Sequence, residues 1–430
     1  MDSRHPRPPV SAPPGRSFSA RCPLVLLLLG SITLLTGLAT SSVAANPKTG
    51  VRPFTIQINQ AVLDDLHRRL ELTRFPDQVE DAEWAYGANL GYMRELVSYW
   101  RNKYDWRKHE TSLNTLQHFK TRIDGLDLHF VHERSRHKDA FPLVLVHGWP
   151  GSFCEFQKIV GMLTDPTAHG GKAEDAFHVV IPSLPGFGFS DRPRTRGWNN
   201  TRMAETISKL MKRLGYTRYG SQGGDWGASI SSWLGRNDSE HCVGIHLNFV
   251  SGRSARNASK PYEGLTADEI RRVRDRSRFM TNEGGYNQIQ STKPQTLGFG
   301  LNDSPAGLAA WIIEKFRTWS DCDGNLDSRY TKDELLTNVM TYWVTQTITS
   351  STRIYYETRH SPARGRRGRV TVPVGCAIFP HEIVYAPRRW VETRYNVTHW
   401  TKMPRGGHFA AMEEPKLLAE DIRAFFGTIR

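Results

Sequence analysis

Residues 219–234 read YGSQGGDWGASISSWL, and the stretch from Gly223 to Gly227 sets one acidic residue among glycines. A small residue, any residue, a reactive residue, any residue and a small residue is the order typical of a sharp turn from a strand into a helix. Such a turn projects its central side chain beyond the end of a sheet, and that residue is commonly serine. Here it is Asp225. The stretch predicts a carboxylate in a reactive position, although an aspartate that only caps the next helix fits the same residues.

Strand and helix patterns alternate on both sides of this turn. Residues 142–152 (PLVLVHGWPGS) and 177–190 (FHVVIPSLPGFGFS) are predicted buried strands that end in glycine turns. Residues 118–135 alternate in polarity around Asp124-Gly125, which predicts a hairpin. The segment RYGSQ, just before the turn, is a poor candidate for a buried strand. Helical segments between strands favour an α/β fold with a doubly wound sheet.

Two helical regions accompany this core. Residues 46–118 contain two amphipathic segments, 59–76 ending at Pro76 and 91–106, which predict an N-terminal helical arm. From 256 to 365 the strand pattern is lost, and the capping pair Thr266 and Glu269 and the segments 304–319 and 331–357 predict a helical insertion. The core is therefore expected in two parts, 119–255 and 366–430, the second closing on a helix with Pro415 in its first turn.

Residues 1–45 have the composition of a targeting segment. Arginines precede an apolar run from Pro23 to Ala39, and small residues that suit a cleavage site follow it. The run is about 16 residues long, whereas a helix needs roughly 20 to span a bilayer. A signal peptide and a secreted protein are the favoured expectation, with a retained anchor in the endoplasmic reticulum membrane as the alternative. Glycosylation patterns give modest support and occur at Asn199, Asn237, Asn257, Asn302 and Asn396.

Charge and cysteine content exclude some classes of function. The net charge is +14, and the basic residues form two runs, 271–279 and 363–370. These runs are compatible with association with a membrane surface, but a solvated helix face and a loop are the favoured interpretation. Without interleaved aromatic residues they do not predict nucleic-acid binding. Cys22 lies in the targeting segment, and the other four cysteines are scattered without metal-ligand spacing, so no metal site is expected and any disulfide pairing stays open.

Two later segments supply partners for Asp225. In a triad of this architecture the acid and then the base follow the nucleophile along the chain. The base candidate is His408, in the glycine loop RGGHFAAMEEP before the last helix, and the acid candidate is Glu382, just beyond a late strand. His147 is expected to support a turn rather than to transfer protons. The backbone N–H groups of Trp149 and Trp226 are the candidate oxyanion hole.

An aspartate nucleophile suits an alkyl carbon that bears a strained or good leaving group. Attack on that carbon gives an ester, which water can hydrolyse once His408 takes a proton from it. A serine would form an ether instead, and the same base could not hydrolyse that bond. The chemistry needs no metal and no organic cofactor.

In these motifs the chain resembles the microsomal-type epoxide hydrolases of the α/β-hydrolase fold, from about Arg52 to Phe426. The segments that carry the resemblance are HGWPGSFCEF, PSLPGFGFS, GGDWG, FPHEI and RGGHFAAMEEP, in that order. The resemblance implies a helical lid, an N-terminal arm and an ether-bond hydrolase that converts a small-molecule epoxide and water into a vicinal diol. It implies Asp225 as nucleophile, Glu382 as acid and His408 as base.

The resemblance also implies two lid tyrosines that donate hydrogen bonds to the epoxide oxygen. They match Tyr286 and Tyr355, and the adjacent Tyr356 leaves the second assignment open by one residue. A haloalkane dehalogenase is the alternative enzyme, but that class resembles HGNP where this chain has Trp149. A non-catalytic binding protein of the same fold is the third hypothesis. The particular epoxide, the stereochemistry, the pathway (detoxification, lipid signalling or biosynthesis) and the oligomeric state stay open.

Overall fold

The computed structural model describes residues 50–252, 254, 260–363, 365 and 368–430. The predicted targeting segment 1–45 lies outside the described residues, and so do Cys22, Asn257 and three residues of the second basic run. None of the helices in the described ranges has the length and apolar character needed to cross a membrane.

Within these residues the core is one nine-stranded sheet in the order β1-β2-β3-β5-β4-β6-β7-β8-β9. Strands β1 to β3 and β5 pair in antiparallel fashion, and the pairs from β5 through β4 and β6 to β9 are parallel. The strands are β1 (Val51–Pro53), β2 (His118–Ile123), β3 (Leu126–Glu133), β4 (Phe141–Val146), β5 (Phe177–Pro182), β6 (Tyr219–Gly223), β7 (Cys242–Leu247), β8 (Val370–Ile378) and β9 (Tyr395–Lys402). The parallel part has the predicted doubly wound character, and β2 and β3 form the predicted hairpin, with positive φ at Asp124 and Gly125.

The helices fall into three groups. The helices before β2 are α1 (Gln60–Glu71), α2 (Leu90–Asn102) and α3 (Trp106–Leu113). Those of the core are α4 (Gln157–Thr164), α5 (Asn200–Arg213), α6 (Asp225–Asn237), and, after the lid, α13 (Arg388–Glu392), α14 (Ala410–Glu413) and α15 (Pro415–Phe426). Between β7 and β8 lie α7 (Ala267–Glu283), α8 (Gly285–Thr292), α9 (Pro294–Leu301), α10 (Pro305–Trp319), α11 (Lys332–Thr345) and α12 (Ile348–His360). This last group occupies the predicted lid.

The predicted arm packs on the lid and also joins the sheet. Helices α1 and α2 contact α10, and α2 and α3 contact α11. The Tyr99 hydroxyl donates to Asp333 at 2.8 Å, and the hydroxyls of Tyr104 and Thr337 lie 3.1 Å apart. The arm was predicted as helical only, yet β1 pairs with β2 at the sheet edge. The arm therefore connects the core and the lid.

Three predicted helix boundaries are wrong. Helix α1 ends at Glu71 and not at Pro76. The segment 91–106 is not one helix, because α2 ends at Asn102 and the Asp105 side chain caps the N-terminus of α3. The segment 331–357 is interrupted at Gln346, whose φ of 52° is left-handed and incompatible with a continuing α-helix.

The weak strand candidate RYGSQ overlaps β6 (Tyr219–Gly223), an interior strand of the sheet whose residues are all buried, and only Arg218 lies outside it. Most of its buried polar side-chain atoms have hydrogen-bond partners, and Gln222 Oε1 is an exception within the described residues. The hydroxyl of Ser221 lies 2.8 Å from that of Ser231, and the Gln222 amide donates to the Asn248 carbonyl oxygen at 2.8 Å. Because these partners are distant in sequence, the polarity of the segment alone does not show that it forms a buried strand.

The burial of individual residues tests three predictions, which concern the first basic run, a glycosylation pattern and the cysteines. The run 271–279 lies on α7, which buries none of its residues, as expected for a solvated helix face. Asn199 is buried and its side chain caps α5, so it is not available to a glycan in the folded chain. The four described cysteines are free and buried.

Candidate active site

The nucleophile candidate occupies a strained turn between β6 and α6. Asp225 is the first residue of α6 and has a φ of 46°, a left-handed conformation that costs energy for a residue with a Cβ. The turn is tight because a Cβ on Gly227 would lie 1.8 Å from the Val146 carbonyl oxygen. The sequence GGDWG therefore lets α6 start directly against β4, and the Asp225 side chain projects from the carboxyl end of the parallel strands.

Two backbone amides approach the Asp225 carboxylate. The Trp149 N–H, in the turn after β4, donates to Oδ1 at 2.9 Å, and the Trp226 N–H also hydrogen-bonds the carboxylate. These are the two predicted oxyanion-hole donors, and both point at the same side chain. The Trp149–Pro150 peptide bond is cis.

His147 supports this turn, as expected. Its Nδ1 lies 3.0 Å from the Gly148 carbonyl oxygen, and its Nε2 accepts the Leu184 N–H at 3.2 Å. Burial lowers the pKa of His147 to about 4, so the ring is neutral and can accept at Nε2. The His147 ring therefore links the turn after β4 to the loop after β5.

The base and acid candidates come from the loops after β9 and β8. His408 Nδ1 lies 2.7 Å from Glu382 Oε1, and His408 Nε2 lies 3.6 Å from Asp225 Oδ2. All three side chains are buried or nearly so. The structure brings the three predicted residues together, and the imidazole of His408 lies between the carboxyl groups of Glu382 and Asp225.

The three groups control one another's charge. Burial raises the pKa of Asp225, and His408 and the two backbone amides offset part of this rise. Burial alone would lower the pKa of His408, but the charge of Glu382 and its hydrogen bond, followed by the charge of Asp225, outweigh burial and raise it to about 9. The imidazole of His408 is therefore protonated in the resting site at neutral pH.

The two predicted tyrosines lie together above this triad, on lid helices α8 and α12. Tyr286 stacks on Trp149 with ring centroids 5.6 Å apart, and Tyr355 meets the edge of Trp226 at 4.8 Å. The two phenol rings are 5.9 Å apart. Burial raises the pKa of both phenols, and the nearby charge of Asp225 adds to this effect, so both hydroxyls remain protonated donors.

The uncertainty between neighbouring tyrosines is resolved by position. Tyr355 is buried in the aromatic cluster, whereas Tyr356 is half-buried and stacks on His360 at 4.1 Å, one turn along the outer side of α12. The Tyr355 hydroxyl makes no hydrogen bond of ordinary geometry with any described residue. Of these two neighbours, Tyr355 is the one that lies in the aromatic cluster with Tyr286, Trp149 and Trp226.

Glu413 was missed by the sequence reasoning and shapes the loop that carries His408. Its carboxylate accepts the backbone N–H groups of Asp321, Gly407 and Phe409 at 2.8 to 2.9 Å. These bonds fix the chain on both sides of His408 and tie it to the end of α10. Its place five residues beyond His408 was the available signal, but no pattern of spacing distinguishes it from a solvated glutamate.

The site is closed in this structure. The cavity that touches Asp225 and His408 measures about 10 Å³. A larger cavity of about 800 Å³ lies between α1 and helices α9, α11 and α12, and neither the triad nor the two tyrosines line it. Small-molecule sites usually measure some hundreds of Å³, so the cavity beside Asp225 is too small for a substrate. No group of His, Cys, Asp or Glu within the described ranges has the arrangement of a metal site.

This combination defines the class: an α/β hydrolase whose nucleophile position holds aspartate and whose lid presents two phenols. Two known families match the sequence, Epoxide hydrolase N terminus over residues 51–156 and alpha/beta hydrolase fold over residues 142–258. Epoxide hydrolase 1 of Sus scrofa is 42% identical over 416 residues, which cover 90% of each chain.

Two solved epoxide hydrolase structures are similar to this chain. The crystal structure of juvenile hormone epoxide hydrolase from the silkworm Bombyx mori has a TM-score of 0.81 at 33% identity and covers 88% of this chain and 94% of that one. The structure of Aspergillus niger epoxide hydrolase has a TM-score of 0.79 at 32% identity, with 90% and 97% covered. The chain belongs to the epoxide hydrolases of the α/β-hydrolase fold, and the predicted fold and enzyme class are confirmed.

Proposed function

We propose that this epoxide hydrolase works through a covalent ester on Asp225, which water then hydrolyses with His408 as the base. The observation that carries the proposal is the continuous contact from Glu382 through His408 to Asp225, at 2.7 and 3.6 Å, beneath two buried phenols. The same arrangement provides a nucleophile, a proton acceptor and two proton donors without a cofactor.

In the first step a carboxylate oxygen of Asp225 attacks one epoxide carbon, and the bond from that carbon to the ring oxygen breaks. The ring oxygen leaves as an alkoxide, which takes a hydrogen bond or a proton from Tyr286 and Tyr355. Their raised pKa values keep both phenols protonated until the oxygen becomes basic. The Tyr355 hydroxyl makes no hydrogen bond of ordinary geometry with a described residue, which supports its role as a donor to this oxygen.

In the second step water attacks Cγ of the ester and gives a proton to His408 Nε2. The oxyanion that forms on Asp225 is held by the amides of Trp149 and Trp226, which already hydrogen-bond the carboxylate. Collapse of this intermediate breaks the bond between Cγ and the ester oxygen, and the released diol oxygen takes the proton from His408. The second proton of the water, left on the new carboxyl group of Asp225, then passes to His408, which restores the carboxylate and the imidazolium and balances atoms and charge.

Alkylation also prepares the base. The charge of Asp225 helps to keep the pKa of His408 at about 9, so the resting ring is protonated at neutral pH. Ester formation removes that charge, which lowers the pKa of His408 and favours the neutral ring. The proton that leaves the imidazolium replaces the one that the tyrosines gave to the alkoxide, so His408 becomes a base only after the first step has occurred.

The test uses residues 46–430 carrying His408→Gln, mixed with aryl, alkyl and fatty-acid epoxides and analysed by intact-mass spectrometry. We expect an adduct of substrate mass that maps to Asp225, because the ester forms but is not hydrolysed. Asp225→Ala is the matched control and should give none.

Two results would contradict the covalent route. Wild-type turnover without any adduct on His408→Gln would exclude an ester at this residue. An adduct from haloalkanes and from no epoxide would shift the reaction to dehalogenation.

We also propose that residues 1–45 direct the chain into the secretory pathway and are then removed. The support is the sequence pattern of an apolar run of about 16 residues before small residues. Sequencing the N-terminus of the protein expressed in a secreting host should give a start near Asn46. A retained N-terminus in a membrane fraction would instead support an anchor.

A further inference from the structure

A second carboxyl group, absent from the mechanism above, borders the same small cavity as the nucleophile. Glu155 lies in the 3₁₀ turn Phe153–Phe156, which follows β4, and belongs to the segment HGWPGSFCEF. Its Oε2 packs so closely on Gly151 that a Cβ there would be 2.6 Å away. The turn thus holds the carboxyl group against the loop that carries the Trp149 amide.

The cavity that Glu155 shares with Asp225 and His408 has the size of a single water molecule. It measures about 10 Å³, close to the minimum that one water occupies. A buried water also needs two to four polar partners, and both carboxyl groups and the imidazole border this space. The cavity is suited to water and too small for a substrate.

Glu155 also borders a second cavity, on its side away from Asp225. This cavity measures about 320 Å³, and polar residues of α3, α4 and α11 line it, including His109, Lys158 and Asp333. Lys158 Nζ pairs with Glu334 at 2.6 Å, and both side chains are partly exposed. This cavity gives water a polar approach to Glu155 between α3, α4 and the lid helix α11.

The charge around Glu155 favours a protonated carboxyl. Burial raises the pKa of Glu155 to about 8; His408 opposes this rise, and Asp225, Glu413 and Glu382 reinforce it. A neutral carboxyl can donate one hydrogen bond to a water and accept another. It also avoids placing a third negative charge beside the nucleophile.

We propose that Glu155 is a positioning residue that holds the hydrolytic water in this cavity, between its own carboxyl group and His408 Nε2. The inference rests on the proposed ester mechanism and adds to it the group that orients the attacking water. Glu382 orients the base from one side of the imidazole, and Glu155 orients the water on the other.

The experiment separates the two chemical steps in Glu155→Leu and Glu155→Gln. A single turnover of excess enzyme with an epoxide is quenched at intervals, and intact mass reports the formation and the decay of the ester. In Glu155→Leu we expect ester decay to slow by about 10²-fold, the effect of a misplaced reactant, and ester formation to stay within about threefold. In Glu155→Gln, whose amide can still hold a water, decay should stay within about tenfold of the wild type.

Glu133→Gln is the matched control, because this half-buried glutamate on β3 accepts the Gln117 N–H far from the triad. It should change neither step. Equal loss of both steps in Glu155→Leu, or ester decay at the wild-type rate, would overturn the role of Glu155. The His408→Gln adduct distinguishes the two proposals: if it forms while Glu155→Leu hydrolyses normally, only the inference on Glu155 fails, and if it never forms, the ester mechanism itself fails.

Discussion

The two halves of the active site differ in the kind of polar group that they present. In the sheet half, Asp225, His408 and Glu382 contact one another, and two backbone amides donate to Asp225. In the lid half, Tyr286 and Tyr355 are neutral phenols among aromatic rings, and Tyr355 OH has no ordinary hydrogen bond within the described part of the chain. The groups of the sheet half contact one another before substrate binds, although Glu382 Oε2 lacks a partner among the described residues, whereas the lid half presents neutral donors to the substrate oxygen.

This contrast assigns different chemistry to each half. Fixed charges in a buried site suit the steps that make and break the ester, because their arrangement costs no reorganisation during the reaction. Neutral donors suit the epoxide oxygen, which carries little charge until the ring opens. Substitutions in the sheet half should therefore block a step, and those in the lid half should slow one.

The largest effect is expected from Asp225→Asn. Asparagine tolerates the left-handed φ of this position about as well as aspartate, so the turn should be kept. The amide is not a competent nucleophile, and kcat should fall by about 10⁴-fold or more, as when other enzymes lose their nucleophile. Steady-state kinetics measure the loss of kcat, and intact-mass spectrometry should show no adduct. Retained turnover in this variant would mean that Asp225 is not the nucleophile.

The second effect is expected from Glu382→Gln, which removes a charge but keeps the shape. Ester hydrolysis should slow by about 10³-fold, because the ring is oriented less firmly, and alkylation should change much less. Since the charge of Glu382 raises the pKa of His408, the variant should have a lower pKa at His408. The acid limb of ester decay should then move to lower pH.

The pH profile of single-turnover ester decay checks that shift. A limb that moves to higher pH, or equal loss of both steps, would show that Glu382 does not act through the imidazole. Glu133→Gln serves again as the matched control for a change of carboxylate to amide.

The sheet half was also the better predicted from sequence, for a physical reason. The glycines around Asp225 and around His408 are local signals, and Glu382 follows a late strand that the sequence pattern identifies. By contrast, β6 was misjudged because Ser221 and Gln222 find partners only in the folded sheet.

The lid half required the structure. Tyr355 and Tyr356 are equivalent in sequence pattern, and only the packing of α12 distinguishes the ring against Trp226 from the ring against His360. The role of Glu413 was hidden in the same way, since its three amide donors come from two separate segments. The closed state of the site also depends on packing that no local pattern encodes.

The third prediction compares these neighbouring tyrosines directly. Tyr355→Phe should slow ring opening by about 10²-fold, because one donor to the alkoxide is lost. Tyr356→Phe, on the outer side of the same helix, should leave the rate within about twofold. Single-turnover alkylation rates measure both, and the reverse pattern would mean that the lid presents its other tyrosine during catalysis.

The smallest effect is expected where the arm holds the lid. The Tyr99 hydroxyl donates to Asp333 at the start of α11, whereas the buried Tyr92 hydroxyl, on the same helix α2, has no partner among the described residues. Tyr99→Phe should therefore lower the free energy of unfolding by about 1 kcal/mol, the usual contribution of one hydrogen bond, and leave the alkylation rate unchanged. Tyr92→Phe should not destabilise the protein, because it removes a buried polar group that lacks a partner. Urea unfolding measures both, and a slower alkylation step in Tyr99→Phe would show that the arm also sets the position of the lid phenols.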